Sequence, residues 1–160
     1  MSFRLPAPVR HIVKRFALVV CPPELTTYAL EEDVLLEFEA MLGAMPAHVR
    51  FAVTAGFTAF DQGARLYPRA RGRRFARLPA DVAEAYYLAV AHGPLAPQRK
   101  VMMLLKGLVT MAYYEQPRVL EALAYRPADY IAKVTQRRKD SYADDVKRGE
   151  EAVFAKEDAR

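Results

Sequence analysis

The sequence predicts an all-α fold, a compact bundle of about six helices followed by a charged C-terminal tail with helical potential. Three observations predict it. Apolar residues recur at the 3.6-residue helical period in one segment after another. Prolines stand between those segments, where they start or stop helices. No run alternates apolar and polar residues for long enough to make a useful strand. The expected division is a helical domain over residues 1–136 and a charged tail over 137–160.

Pro6 opens the first helix, which places Val9, Ile12, Val13, Phe16, Ala17 and Val20 on one face; Pro22-Pro23 stops it. Thr26 or Thr27 can cap a second helix with Leu30, Val34, Leu35, Phe38, Met41 and Leu42 on its apolar side. Glu31, Glu32 and Asp33 suit the positive end of that helix, and Gly43 closes it. Pro46 fits the first position of a long third helix reaching about Tyr67. Its small residues (Ala52, Ala55, Gly56, Ala59, Gly63, Ala64) interleave with Phe51, Phe57, Phe60 and Leu66, which predicts a buried central helix.

An arginine-rich connector follows from Pro68 to Arg77, too punctuated by proline and glycine to be a strand. Pro79 and Asp81 start a fourth helix carrying Val82, Ala85, Tyr86, Ala89 and Val90, ended by Gly93-Pro94. Pro97 starts a fifth, with Val101, Met102, Leu104, Leu105, Leu108, Val109 and Ala112 along its buried side. Pro117 begins a short sixth over Arg118 to Ala124, broken by Tyr125-Arg126-Pro127, and a seventh can run from Pro127 into the tail. Beyond Gln136 only Tyr142, Val146, Val153 and Phe154 interrupt the mixed charges. Such a segment forms a solvated helix that docks few apolar residues, or frays.

With 160 residues, 52% of them hydrophobic and 27% charged, the chain suffices for one domain with a real core. No apolar run reaches the roughly 18 residues of a membrane span. Phe16 to Val20 is shorter than a secretory core of about 7–15 residues and runs into prolines, so a cytoplasmic protein is expected, peripheral to a membrane only through a partner. Cys21 is the only cysteine, which excludes an internal disulfide and predicts a small buried hydrophobe. The net charge of +5 is concentrated: Arg65, Arg69, Arg71, Arg73, Arg74 and Arg77 lie between Asp61 and Asp81 with no acid among them.

The chemistry-bearing residues do not assemble into a motif. His11, His48 and His92 fall on different helices without a second ligand at metal-binding spacing. Ser2 and Ser141 are terminal and lack the flanking glycines of a nucleophile turn; His11 and Cys21 stand nearly three turns apart. Gly72 is alone in the connector, with no strand before it, so no dinucleotide cradle is written in the chain. Tyr113, Glu115 and His92 are the remaining acid–base groups, at a spacing that matches no recognised constellation. The expectation is a chain without catalytic, cofactor-binding or metal-binding residues of its own.

Two stretches resemble a known family. One is Arg73-Arg74-Phe75-Ala76-Arg77-Leu78-Pro79, an amphipathic helix, then Leu104-Leu105-Lys106-Gly107-Leu108. The other runs Ala112-Tyr113-Tyr114-Glu115-Gln116-Pro117-Arg118-Val119-Leu120 and on through Ala124-Tyr125-Arg126-Pro127. Over residues 9–130 this order is similar to the gluconate 2-dehydrogenase subunit 3-like family, and to the helical domain ahead of some long-chain alcohol oxidases and dehydrogenases. Cys21-Pro22-Pro23 is similar to the Ile-Pro-Pro turn after that family's first helix. The chain departs from the pattern in lacking a twin-arginine export signal and in carrying Ala124 where the family has a turn glycine.

The resemblance implies an all-helical small subunit that binds a large flavin-dependent oxidoreductase of the glucose-methanol-choline type. The partner would hold the FAD and the catalytic histidine. On that reading Tyr113, Tyr114, Val119 and Leu120 bury partner surface, and Arg69, Arg71, Arg73 and Arg74 steer an acidic face. The alternative is a basic helical module binding nucleic acid or serving regulation, for which the arginines are the marker; Tyr67 and Phe75 are few aromatics for a stacking platform.

Overall fold

The structure, a computed structural model, describes residues 3–125 and 127–157, and for 127, 128, 144 and 146–157 the backbone only. Its eight α-helices are α1 (Ala7–Val20), α2 (Glu24–Thr27), α3 (Glu31–Gly43), α4 (Ala47–Gly63), α5 (Ala80–Ala91), α6 (Ala96–Tyr114), α7 (Pro117–Ala122) and α8 (Pro127–Glu157). Three 3-10 turns, Ala64–Leu66, Pro68–Ala70 and Phe75–Arg77, bridge α4 to α5. Six of the helices have seven or more residues, and no strand occurs among the described residues, so the fold is all-α as the periodicity predicts.

The chain forms two compact units, Met1–Leu120 and Glu121–Arg160. α8 runs unbroken through residue 136, after which the sequence places its division. Within residues 121–136, Leu123 is 59% accessible, Tyr130 69% and Ile131 61%. The side chains of Val146, Val153 and Phe154 lie outside the described residues. Among the described residues no helix is long and apolar enough to cross a membrane.

Within the first unit the centre is α1, not the third predicted helix. It packs against α3, α4, α5, α6 and the Phe75–Arg77 turn. Val9, Ile12, Val13, Phe16 and Ala17 are buried, in the order their spacing predicts. Phe16 is fully buried and meets Phe57 and Phe60 edge-on at 5.4 Å each, Tyr87 at 5.7 Å and Phe75 at 6.2 Å. Such edge-to-face contacts add about 0.5–1.5 kcal/mol per pair to the burial of each ring.

The long helix expected to be central, α4, buries only Val53, Phe57, Phe60 and Asp61. Phe51 is 76% exposed, and Leu66, just beyond it, is 89% exposed. The reason is geometric: one stripe of α4 supplies rings to the core, while Ala52, Ala55 and Ala59 face away from it. Likewise α6 buries Met102, Leu105, Leu108, Val109, Ala112 and Tyr113 but leaves Val101 and Leu104 exposed, against expectation.

The threonines expected to cap the second helix do something else. Thr26 and Thr27 belong to the one-turn helix α2, and the N-cap of α3 is Leu30, without a side-chain cap. The turn between them is closed by hydrogen bonds from Leu30 N to Leu25 O (2.9 Å) and Ala29 N to Thr26 O (3.1 Å). The wide six-residue loop puts Ala29 at φ 52°, a conformation that disfavours a Cβ. Ala29 is exposed and loses no packing on truncation. Ala29→Gly is therefore expected to raise unfolding stability by about 0.5–1 kcal/mol, read from urea midpoints at constant slope.

Among the described residues two carboxylates are buried. Glu39, on α3, is 2% exposed; its Oε1 accepts the Leu5 amide at 2.9 Å, and its Oε2 accepts Arg4 Nη1 at 3.3 Å. Arg10 Nε lies 3.2 Å from Glu39 Oε1, while Arg10 Nη2 donates to Glu32 at 2.7 Å. Glu32 also pairs with Lys14, whose hydrogen bond is the largest cause holding its carboxyl below the usual range. Glu39 thus pins the segment before α1 to α3. Asp61, 1% exposed, ties the end of α4 to the connector.

Candidate functional site

The arginine connector is anchored, not loose. Phe75 is fully buried and Ala70 nearly so, which fixes both ends of the bend to the core. Asp61 Oδ1 accepts the Ala76 amide at 2.9 Å, and Arg15 Nη2, from α1, donates to the Leu78 carbonyl at 2.7 Å. Between the anchors the chain reverses through Arg71 (φ 50°) and Gly72 (φ 75°), two successive left-handed residues. Gly72 supplies the second of these without strain.

From this base Arg69, Arg71 and Arg73 project as exposed side chains, and Arg74 is half-buried. Arg69 Nη2 lies 3.4 Å from Asp81 Oδ2, an exposed pair of little energetic weight. The guanidinium groups of Arg65, Arg71 and Arg73 have no hydrogen-bonded or ionic partner among the described residues. Arg69, Arg71 and Arg73 line a hollow of about 290 Å³ whose other wall is Leu78, Pro79 and Val82. An anion that enters it meets three guanidinium groups.

The four residues expected to bury partner surface are split by the structure. Tyr113 is 3% exposed and Val119 4%, so both belong to this chain's own core. Burial pushes the Tyr113 phenol above its ordinary range, aided by Glu24. Tyr114, 46% exposed, and Leu120, half-buried, remain accessible. Tyr114 ends a longer apolar face of α6 that the sequence reading assigned to the core or left out. Met103 is 73% exposed, Leu104 52% and Met111 56%. Gly107 lies between them, with nothing within 4 Å of where its Cβ would stand. Residues 103, 104, 107, 111 and 114 fall on one helical face. The signal that finds them is a second apolar stripe on a helix whose first stripe already fills the core.

Ala124 stands where the family that the sequence resembles has a turn glycine. Ala124 sits at φ 50°, the left-handed conformation that glycine adopts most readily. The turn at this alanine has the geometry of a glycine turn. Arg126 lies outside the described residues.

A groove of about 740 Å³ runs between α4, α5 and α6. Its walls include Ala55, Gly56 and Ala59 from α4, Ala89 from α5 and Val101 from α6, and it ends at Leu66, Tyr67 and Pro68. Gly63 is required at its floor, because a Cβ there would meet Tyr86 Oη at 2.9 Å. That hydroxyl donates to the Phe60 carbonyl at 2.9 Å, and burial, with the Asp61 carboxylate nearby, pushes the Tyr86 phenol up to about 12.

His11, His48 and His92 are exposed on α1, on α4 and at the end of α5. Among the described residues no three His, Cys, Asp or Glu side chains converge as metal ligands. Cys21 is half-buried, and desolvation pushes its thiol up to about 12 against the opposing charge of Lys106. Because the thiolate is the reactive form, alkylation of Cys21 at mildly alkaline pH is expected to be at least about a hundredfold slower than that of a free thiol. Iodoacetamide labelling followed by mass spectrometry checks this. Rapid labelling would show a reactive cysteine.

Glu39 and Asp61 are the polar residues that the sequence reading missed. Their signal is a lone carboxylate on a buried face, Glu39 one turn after Leu35 and Asp61 one turn after Phe57. Comparison of the chain with protein-family models, with curated proteins and with solved structures gives no match.

Proposed function

We propose that this chain is the accessory subunit, or assembly partner, of a large FAD-dependent oxidoreductase of the glucose-methanol-choline type that acts on alcohol or sugar substrates. It has no part in the chemical step on this reading; the partner holds the flavin. The observation that carries the reading is the apolar face of α6, from Met103 and Leu104 to Met111 and Tyr114. It leads directly into Glu115-Gln116-Pro117, the segment on which the family resemblance rests.

Contiguous apolar surface rimmed by charge is where a stable partner is buried. Lys100, Lys106 and Glu115 are exposed on the same helix or just past its end and provide that rim. The methionines suit the task, since their unbranched chains adapt to a partner's contour. The exposed arginines of the connector add attraction to an acidic surface and a faster encounter.

Met103→Asp combined with Met111→Asp tests the face. Both side chains are more than half exposed, so the fold is expected to persist by circular dichroism. Affinity for the flavoprotein is expected to fall by about a hundredfold or more, the loss of two anchors at the centre of an interface. Unchanged co-elution of the two subunits would contradict the assignment.

The alternative, a basic nucleic-acid-binding module, retains one supporting observation, the unpaired exposed Arg71 and Arg73. It loses its aromatics: Phe75 is fully buried, and Tyr67 packs on Tyr86 at a centroid distance of 5.6 Å. Duplex DNA binding that weakens steeply with salt, and vanishes when Arg69, Arg71, Arg73 and Arg74 become alanine, would favour it.

A further inference from the structure

The apolar groove plays no part in the reading above, and the arginine-lined hollow enters it only as a source of charge; consecutive residues join the two. Pro68 bounds the groove and the next residue, Arg69, bounds the hollow. We infer that together they bind a single-chain anionic amphiphile, an unbranched aliphatic chain ending in a carboxylate or a phosphate.

The groove's size lies within the roughly 300–1,000 Å³ range of small-molecule sites, and its volume is about 740 Å³. Its walls at Ala55, Gly56, Ala59 and Ala89 are small and apolar, which leaves a channel for a narrow chain and few footholds for a polar one. Several polar groups along it are already occupied: Tyr86 Oη donates to the Phe60 carbonyl, and the Gly93 and Pro94 carbonyls both accept Arg99 Nη1 at 2.9 and 3.0 Å, while the Gln98 amide and the Tyr67 hydroxyl stay open.

Unpaired positive charge stands in the hollow, on Arg71 and Arg73. Arg69 is shared with the exposed Asp81 carboxylate, which an incoming anion must outbid. A ligand apolar along its length and negative at one terminus matches that distribution. Nucleic acid does not, because beside these arginines Phe75 is buried and the half-buried Tyr67 packs on Tyr86, which leaves no free ring there for stacking. The α6 face assigned to the flavoprotein shares no residue with the groove, so Ala59→Trp tests this site apart from that face.

The experiment titrates the full chain with dansyl-labelled undecanoic acid and follows fluorescence. Saturable one-to-one binding is expected, displaced by palmitate and by hexadecyl phosphate, with the stronger competitor identifying the head group. Hexadecanol, which lacks the charge, and butyrate, which lacks the chain, are expected to compete weakly. Ala59→Trp fills the groove from an exposed position and is expected to abolish binding, whereas Ala59→Ser preserves it. Arg71→Glu with Arg73→Glu is expected to weaken binding by about tenfold or more, the loss of charge-assisted contacts to the head group.

Absence of saturable binding would overturn the proposal, as would equal binding by a folded Ala59→Trp variant. Binding to phosphatidylglycerol vesicles without binding of the monomeric probe would overturn it in favour of a membrane-surface contact. A dimer whose formation is blocked by Ala59→Trp, with no probe binding, would overturn it in favour of self-association.

Discussion

Phe16→Ala is expected to lower unfolding stability by about 3–5 kcal/mol, the cost of a large cavity at a site that cannot collapse. Four aromatic neighbours, Phe57, Phe60, Phe75 and Tyr87, arrive from α4, the connector and α5 and surround the ring. Each is held by its own helix or turn, so none can move far enough to fill the void. The loss is a large part of the roughly 5–15 kcal/mol that a domain of this kind possesses. Phe16→Leu keeps most of the volume and is expected to cost clearly less. Urea unfolding followed by circular dichroism distinguishes the two. Equal, small losses from both variants would mean that α1 is not the hub of the core.

Glu39→Ala is expected to cost about 3 kcal/mol by a different route. Removing the carboxylate strands the buried Leu5 amide and takes the counter-charge from Arg4 and Arg10. Glu39→Gln retains an oxygen for the Leu5 amide and loses only the charge, so a smaller effect is expected. If the charge dominates instead, the two variants will be equally destabilised. The comparison separates the hydrogen bond to the backbone from the ionic contacts. The first of these anchors the segment ahead of α1.

Much of the architecture is legible in the sequence because helix periodicity and proline punctuation are local signals. The buried faces of α1 and α3 follow from spacing alone: Phe16 and Phe38 stand where a 3.6-residue period puts them. What spacing does not tell is which of two apolar stripes on one helix faces inward. On α4 the alanines and Phe51 face out while Phe57 and Phe60 face in, and on α6 Leu104 is exposed beside buried Leu105. That choice is made by neighbouring helices distant in sequence.

The candidate site was legible in part. The connector arginines other than half-buried Arg74 are exposed as their composition implies, but the connector's anchoring by Asp61 and Arg15 depends on contacts across 15 and 63 residues. Tyr113 and Val119 read as partner residues because they belong to a signature segment; the fold places them in the core instead.

The most direct measurement is size-exclusion chromatography of the tagged chain from its native host, with light scattering and flavin absorbance recorded together. A complex of this chain with a larger flavin-containing polypeptide is predicted, while the chain separated from it is colourless and turns nothing over. A partner-free chain that oxidises an alcohol, or one that carries a prosthetic group among its own helices, would contradict it.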